Sequence, residues 1–285
     1  MKEKKRTMAA IGLITVLLLA LGAAGSAKNE KAALRRESQA ENFAASAAKE
    51  ALSEASEEAV AEISLTPEQK EFLDQLTEQM DRGDLEGASR TLNGYEIPWK
   101  EFPCMYDGTA MKAEVSDGKG LVFIKASTVF YGDFAGGSPQ GACTALQVLE
   151  LEEGKRYDYS RGTWEQGKMT GEGESGYNYY DGVTEDVTKM NIKKGTFQED
   201  LMEGGVTYTS INAAGEETTW QFEVSGGVIV PDDRWIKETD SSGAVVYRLM
   251  AEGEEVHAYT LSESAMGESR WKNLIVYENW KAGGF

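Results

Sequence analysis

The chain has 285 residues, 41% of them hydrophobic, with 48 acids against 29 bases and a formal charge of −19. That length carries one or two domains with a real core, and that charge repels phosphate backbones and anionic headgroups, which argues against nucleic acid as a partner. The 31 glycines, five prolines and 9% aromatics describe a sheet-rich, turn-rich protein.

Lys2, Lys4, Lys5 and Arg6 precede an uncharged stretch from Thr7 to Ala27. A basic flank ahead of an apolar run is the pattern of an export signal, and Gly25, Ser26 and Ala27 supply the small side chains a signal peptidase prefers. Met8 to Ala27 is also 20 residues long, enough to cross roughly 30 Å of hydrocarbon as a helix. Residues 1–27 therefore read as a signal peptide or a transmembrane anchor, the anchor slightly favoured. Either way the basic flank stays in the cytoplasm, and the expected location of the rest is extracytoplasmic, membrane-anchored or secreted.

Residues 28–63 are mainly Ala, Glu, Lys, Arg and Ser, with no Gly or Pro, which predicts a helix. Its apolar stripe is thin and mostly alanine, so it reads as a polar helical stalk rather than a core element. Residues 64–94 predict a helical hairpin. Thr66 is the N-cap, Pro67 the first helical residue and Gln69 the partner in a capping box. Phe72, Leu73, Leu76 and Met80 line one face; Gly83 ends the helix, and Asp84 caps a second with Leu85, Ala88 and Leu92 on one side. That apolar face must lie on the first strands beyond the hairpin.

Residues 95–285 predict a β-hairpin domain with an internal frame. In "FYGDFAGGSPQG" the frame is Gly132, Phe134, Gly137 and Gly141; it returns as Gly162, Trp164, Gly167 and Gly171, and again as Gly195, Phe197, Asp200 and Gly204. A fourth, weaker copy keeps Phe222 with Gly226 and Gly227 one step late. Each copy predicts an inward aromatic on a first strand, a turn residue able to take positive φ, and a last glycine that opens the return strand. One hairpin cannot bury its own face, so the copies must stack. Tyr131, Gly132, Asp133 and Phe134, followed by Tyr159, Gly162 and Trp164, make the frame similar to the MORN repeat. The resemblance covers about residues 130–230 and implies a mainly β fold, a continuous sheet of antiparallel hairpins. The aromatics recur at 30 and 33 residues, wider than that repeat, which implies extended hairpins.

Chemistry-bearing motifs are few. "GEGESG", Gly171 to Gly176, satisfies a dinucleotide pattern but carries Glu172 and Glu174 where a phosphate would sit. His257 is the only histidine and sits in alternating sequence. Ser116 and Lys119 fall in a turn rather than a helix start. Acid pairs such as Glu185 with Asp186, and Asp232 with Asp233, lack the ordered spacing of a calcium loop. Cys104 and Cys143 lack zinc-site spacing; two separate buried thiols is the favoured reading, a disulfide the alternative. No catalytic site, cofactor or metal is expected.

The expected function is a binding or scaffold protein that presents its sheet to a protein or glycan partner of the cell envelope. Tyr177, Tyr179 and Tyr180 are the candidate contacts, the first two on one face and the third on the other. The alternative is a carbohydrate-active enzyme with paired carboxylates. Eukaryotic MORN proteins are described as lipid-associated or scaffold-forming; the 17 acids and 7 bases between Tyr131 and Val230 oppose binding to anionic lipid.

Overall fold

Strand pairing in register, hairpin after hairpin, organises the chain. The computed structural model describes residues 61–185, 187–239, 241–243, 245–251, 254–261 and 271–278. The expected leader at 1–27 and the stalk up to residue 60 lie outside the described residues. Among the described residues no helix is long and apolar enough to cross a membrane.

The first described element corrects the stalk's end. Glu62–Ile63 is a short strand, β1, rather than helix. Pro67 holds Thr66 in extended backbone, at φ −76° and ψ 162°, so a helix cannot run through from the N-terminal side. The helical hairpin comes next as α1 (Pro67–Asp81) and α2 (Leu85–Asn93). Both halves of the capping box form: Gln69 N–H donates to Thr66 Oγ1 at 3.3 Å, and Thr66 N–H to Gln69 Oε1 at 2.8 Å. Gly83 takes φ +71° between the helices.

Fourteen strands complete the fold: β2 (Cys104–Tyr106), β3 (Met111–Lys112), β4 (Gly118–Lys125), β5 (Thr128–Ala135), β6 (Ser138–Leu151), β7 (Gly154–Glu165), β8 (Lys168–Asp181), β9 (Thr188–Gln198), β10 (Leu201–Asn212), β11 (Glu217–Ser225), β12 (Val228–Val230), β13 (Trp235–Thr239), β14 (Val245–Ala251) and β15 (Glu254–Leu261). The first twelve form one antiparallel sheet in the order β1-β3-β2-β4 and then consecutively to β12; β13, β14 and β15 form a separate three-stranded meander. The protein is mainly β, with two described helices.

The large sheet buries apolar side chains on both faces. On one, the apolar stripe of α1 and α2 packs against Tyr106, Leu121, Phe123, Val129, Leu146 and Tyr157. On the other, Phe130, Phe134, Trp164, Phe197 and Phe222 form a second core that is closed by Trp235 and by a C-terminal strap, Trp271 to Glu278. Cys104 belongs to the first core and Cys143 to the second. Both are free thiols, and burial pushes both up, Cys104 to about 12.

The recurring frame is a set of two-residue turns in which both residues take positive φ: Gly136 and Gly137 at 58° and 73°, Gln166 and Gly167 at 51° and 85°, Glu199 and Asp200 at 50° and 72°, Gly226 and Gly227 at 55° and 76°. These are the mirror-type turns that match strand twist. Two residues before each turn stands Phe134, Trp164, Phe197 or Val224, and each pairs across the hairpin with Pro139, Met169, Met202 or Ile229. The fourth copy thus places Val224 at the position expected for Phe222, because the turn sets the register. The last glycine of the frame also differs from expectation. Return strands already begin at Ser138, Lys168 and Leu201; Gly141, Gly171 and Gly204 lie three residues further on, at φ near +80°, beside breaks in register. They shape bulges that bend the sheet.

Successive turns bond to one another. Gly167 N–H donates to Pro139 O at 3.0 Å, Asp200 N–H to Met169 O at 2.9 Å, and Gly227 N–H to Met202 O at 3.0 Å. Asp200 explains its own departure from glycine: its buried carboxylate accepts from Met169 N–H at 3.0 Å and from Asn273 Nδ2 at 2.8 Å, tying the strap to the turn ladder. Asp200→Gly keeps the turn backbone and removes that acceptor. Urea unfolding should then report a loss of about 1–3 kcal/mol; unchanged stability would mean the carboxylate does not fasten the strap.

Candidate functional site

Strand register alone builds a trough across the repeats. Gly132, Cys143, Gly162, Gly173 and Gly195 are successive partners on β5 to β9, so they form a row perpendicular to the strands. Their side chains, where present, point to the strap-side core. A bare backbone floor is left on the helix-side face. One wall is Tyr131, Thr144, Arg161, Glu174 and Lys194, again successive partners. The other holds Asp133, Ala142, Thr163, Glu172 and Thr196. Five strands at roughly 4.8 Å spacing make the row about 19 Å long. The cavity over it measures about 600 Å³, and a second of about 310 Å³ under the α1–α2 turn shares Arg161 and Glu174 with it.

The walls are held by paired charges. At one end Lys119 Nζ and Tyr131 Oη each stand 2.8 Å from Asp81 Oδ1, and these hydrogen bonds hold the Asp81 carboxyl below its ordinary value. At the other, Glu174 is only 8% exposed and bonds Arg161 at 2.7 Å and Lys194 at 3.2 Å. Glu172 accepts from Thr196 Oγ1 at 2.7 Å. Among the described residues Asp133 and Glu172 form no ion pair.

The strap-side face carries a second polar group of residues. Along β7, Arg156, Asp158 and Ser160 share the face of Trp164, opposite Tyr179, Tyr177 and Ser175 on β8. Arg156 Nη2 donates to Asp158 Oδ2 at 3.2 Å; burial nevertheless pushes the Asp158 carboxyl above its ordinary value. Lys193 on β9 is 8% exposed, and its ammonium lies 5.5 Å from the centre of the Trp271 ring. Burial pulls the amine from its ordinary value of 10.5 down to about 8, against the attraction of Asp158 and with the repulsion of Lys272.

The three tyrosines expected as partner contacts are brought to opposite faces but are not a free platform. Tyr179 is 5% exposed, and the Arg156 guanidinium covers both it and Tyr177, at 5.5 and 4.6 Å. Tyr180 stacks on Tyr157 and carries Arg90 at 4.8 Å. Tyr131 and Tyr159 of the repeat frame are likewise faced by Lys119 at 4.9 Å and Arg161 at 6.0 Å. Cation–π pairing has filled the surfaces that alternation alone would leave open. Gly171 to Gly176 runs inside β8, so "GEGESG" is strand rather than a phosphate loop. Lys119 is also in a strand, and Ser116 Oγ accepts from Lys112 instead. His257 lies on β15 opposite Leu249. Among the described residues no three His, Cys, Asp or Glu side chains are grouped to hold a metal.

Sequence reasoning does not single out the trough, although it does pick three of its floor residues, Gly132, Gly162 and Gly195, as frame glycines. Placing the Gln166–Gly167 turn sets Gly162 opposite Gly171, and only the bulge between Trp164 and Gly162 moves it opposite Gly173. No family model matches this chain, and no curated protein is significantly similar to it.

Lys193 couples stability to pH. Its folded value lies below its unfolded one, so between about pH 8 and 10.5 the unfolded chain binds more protons and stability rises with pH; below that window the penalty is constant. Lys193→Met should stabilise the protein at neutral pH by about 3 kcal/mol and flatten that rise. Thermal unfolding from pH 7 to 10.5 measures both, and a destabilised variant would show that the ammonium is satisfied where it lies.

Proposed function

We propose that the chain is an extracytoplasmic MORN-repeat binding or scaffold protein, tethered to or released from the membrane through residues 1–27, that presents its sheet to a partner of the cell envelope. The observation that carries the binding reading is the trough, whose floor repeats one glycine position of the frame in hairpin after hairpin. A surface generated by the repeat itself lengthens with each copy, as binding surfaces of repeat proteins do. The same frame of aromatic, mirror-type turn and close-approach glycine supports the MORN reading. The basic leader and its apolar run support the location.

Partner chemistry narrows between the two classes expected. Sugars stack on open aromatic faces, and here Tyr131, Tyr159, Tyr177, Tyr179 and Tyr180 all face cations. The trough instead offers alternating carboxylates, cations and hydroxyls, which suit a protein chain better than a neutral glycan.

Two measurements test this. Protease added to intact cells should remove the sheet, and mass spectrometry of the remaining N-terminus should find either a chain beginning at Lys28, which means cleavage, or an intact Lys2–Ala27 segment, which means an anchor; full protection would refute the location. A photocrosslinking residue at Thr144 or Thr163, in the trough, should capture one discrete partner on intact cells that the same residue at Glu217 does not. Equal capture at all three would rule out the trough as the binding surface.

A further inference from the structure

The trough's charges are unequal in their partners, and the inequality has a spacing. On one wall Asp81 pairs with Lys119, and Glu174 pairs with both Arg161 and Lys194. On the opposite wall Asp133 and Glu172 are left without a cation, though Lys119 stands directly opposite Asp133 and turns away to Asp81. Asp133 is on β5 and Glu172 on β8, three strand spacings apart, or about 14 Å.

Resting on the binding reading above, we infer that the trough takes an extended, basic protein segment whose Lys or Arg side chains four residues apart meet Asp133 and Glu172. An extended chain rises roughly 3.3 Å per residue and points every second side chain the same way, so positions i and i+4 lie on one side about 13 Å apart. That matches the carboxylate spacing. The chain's charge of −19 draws a basic segment towards the protein and repels an acidic one. The floor of Gly132, Gly162 and Gly173 contributes no side chains, so a segment can lie close to the sheet backbone. Thr144 and Thr163, one on each wall, offer hydroxyls midway along its path. Crossing the strands rather than running beside them, the segment needs no exposed sheet edge. It therefore binds through side chains and shape, not by extending the β-ladder.

The test is selection of a random nonapeptide library on the immobilised full chain, followed by titration of the selected peptides. Peptides rich in Lys or Arg at i and i+4 are expected. Their affinity should fall tenfold or more in Asp133→Asn with Glu172→Gln, and fall further between about 0.05 and 0.5 M salt. Both carboxylates are exposed and the replacements are close in shape, so an unchanged melting curve will show that folding is intact. Selection of acidic or purely aromatic peptides, or affinity indifferent to the double variant, would overturn the inference. A parallel array of neutral oligosaccharides separates the two levels: glycan binding that Thr144→Trp abolishes would overturn the basic segment and leave a binding protein standing. Retention of neither peptide nor glycan would bring down both.

Discussion

Along the glycine row of this sheet, a side chain on Gly132, Gly162 or Gly173 would collide with the neighbouring strand. A Cβ on Gly162 would stand 2.8 Å from the Glu172 carbonyl oxygen and 2.9 Å from Met169 Cε. With no Cβ there, the Met169 thioether lies over the strand, and Trp164 sits fully buried with its indole N–H donating to Cys143 O at 3.0 Å. Large side chains near the turns can then lean back over the sheet and pack on their neighbours: Phe130 meets Trp164 edge-on at 5.5 Å and Tyr277 at 5.1 Å. The second core depends on that room. The trough on the opposite face is the other side of the same row.

Turn chemistry propagates the arrangement from hairpin to hairpin. Backbone N–H groups at hairpin tips ordinarily face water. Here the second residue of the last three turns donates to the preceding hairpin, and the first residue of three of the four finds a side chain: Gly136 N–H reaches Asp117 Oδ1 at 2.8 Å, Gln166 N–H reaches Gln140 Oε1 at 3.0 Å, and Gly226 N–H reaches Glu203 Oε2. Each tip after the first is therefore fixed by its predecessor, which is how a series of hairpins, individually unable to bury a face, becomes one body. The strap completes the series, since Trp271 N–H donates to Gly227 O and its carbonyl accepts from Met202 N–H.

Much of this is legible from local signals. The capping box at Thr66, the break at Gly83, the strand composition and the spacing of Phe134, Trp164 and Phe197 arise from propensity and turn chemistry that act over a few residues. Long-range features are not. Nothing near Asp200 in the chain announces Asn273, because their hydrogen bond spans 73 residues. The tyrosines of "YNYY" are legible as strand residues, yet the cations that cover them come from Arg90 and Arg156 on other elements. Phe222 is misplaced for a related reason. Counting from an aromatic assumes that every copy keeps it, whereas the turn glycines carry the register, and Val224 holds the core position in that copy.

Residue-resolved hydrogen exchange on the turn amides tests the turn-to-turn ladder most directly. Gly167, Asp200 and Gly227 should exchange slowly, in step with core strand amides such as those of β7, because each is bonded to the neighbouring hairpin. Exchange at the rate of an open hairpin tip for all three, with β7 still protected, would contradict the ladder.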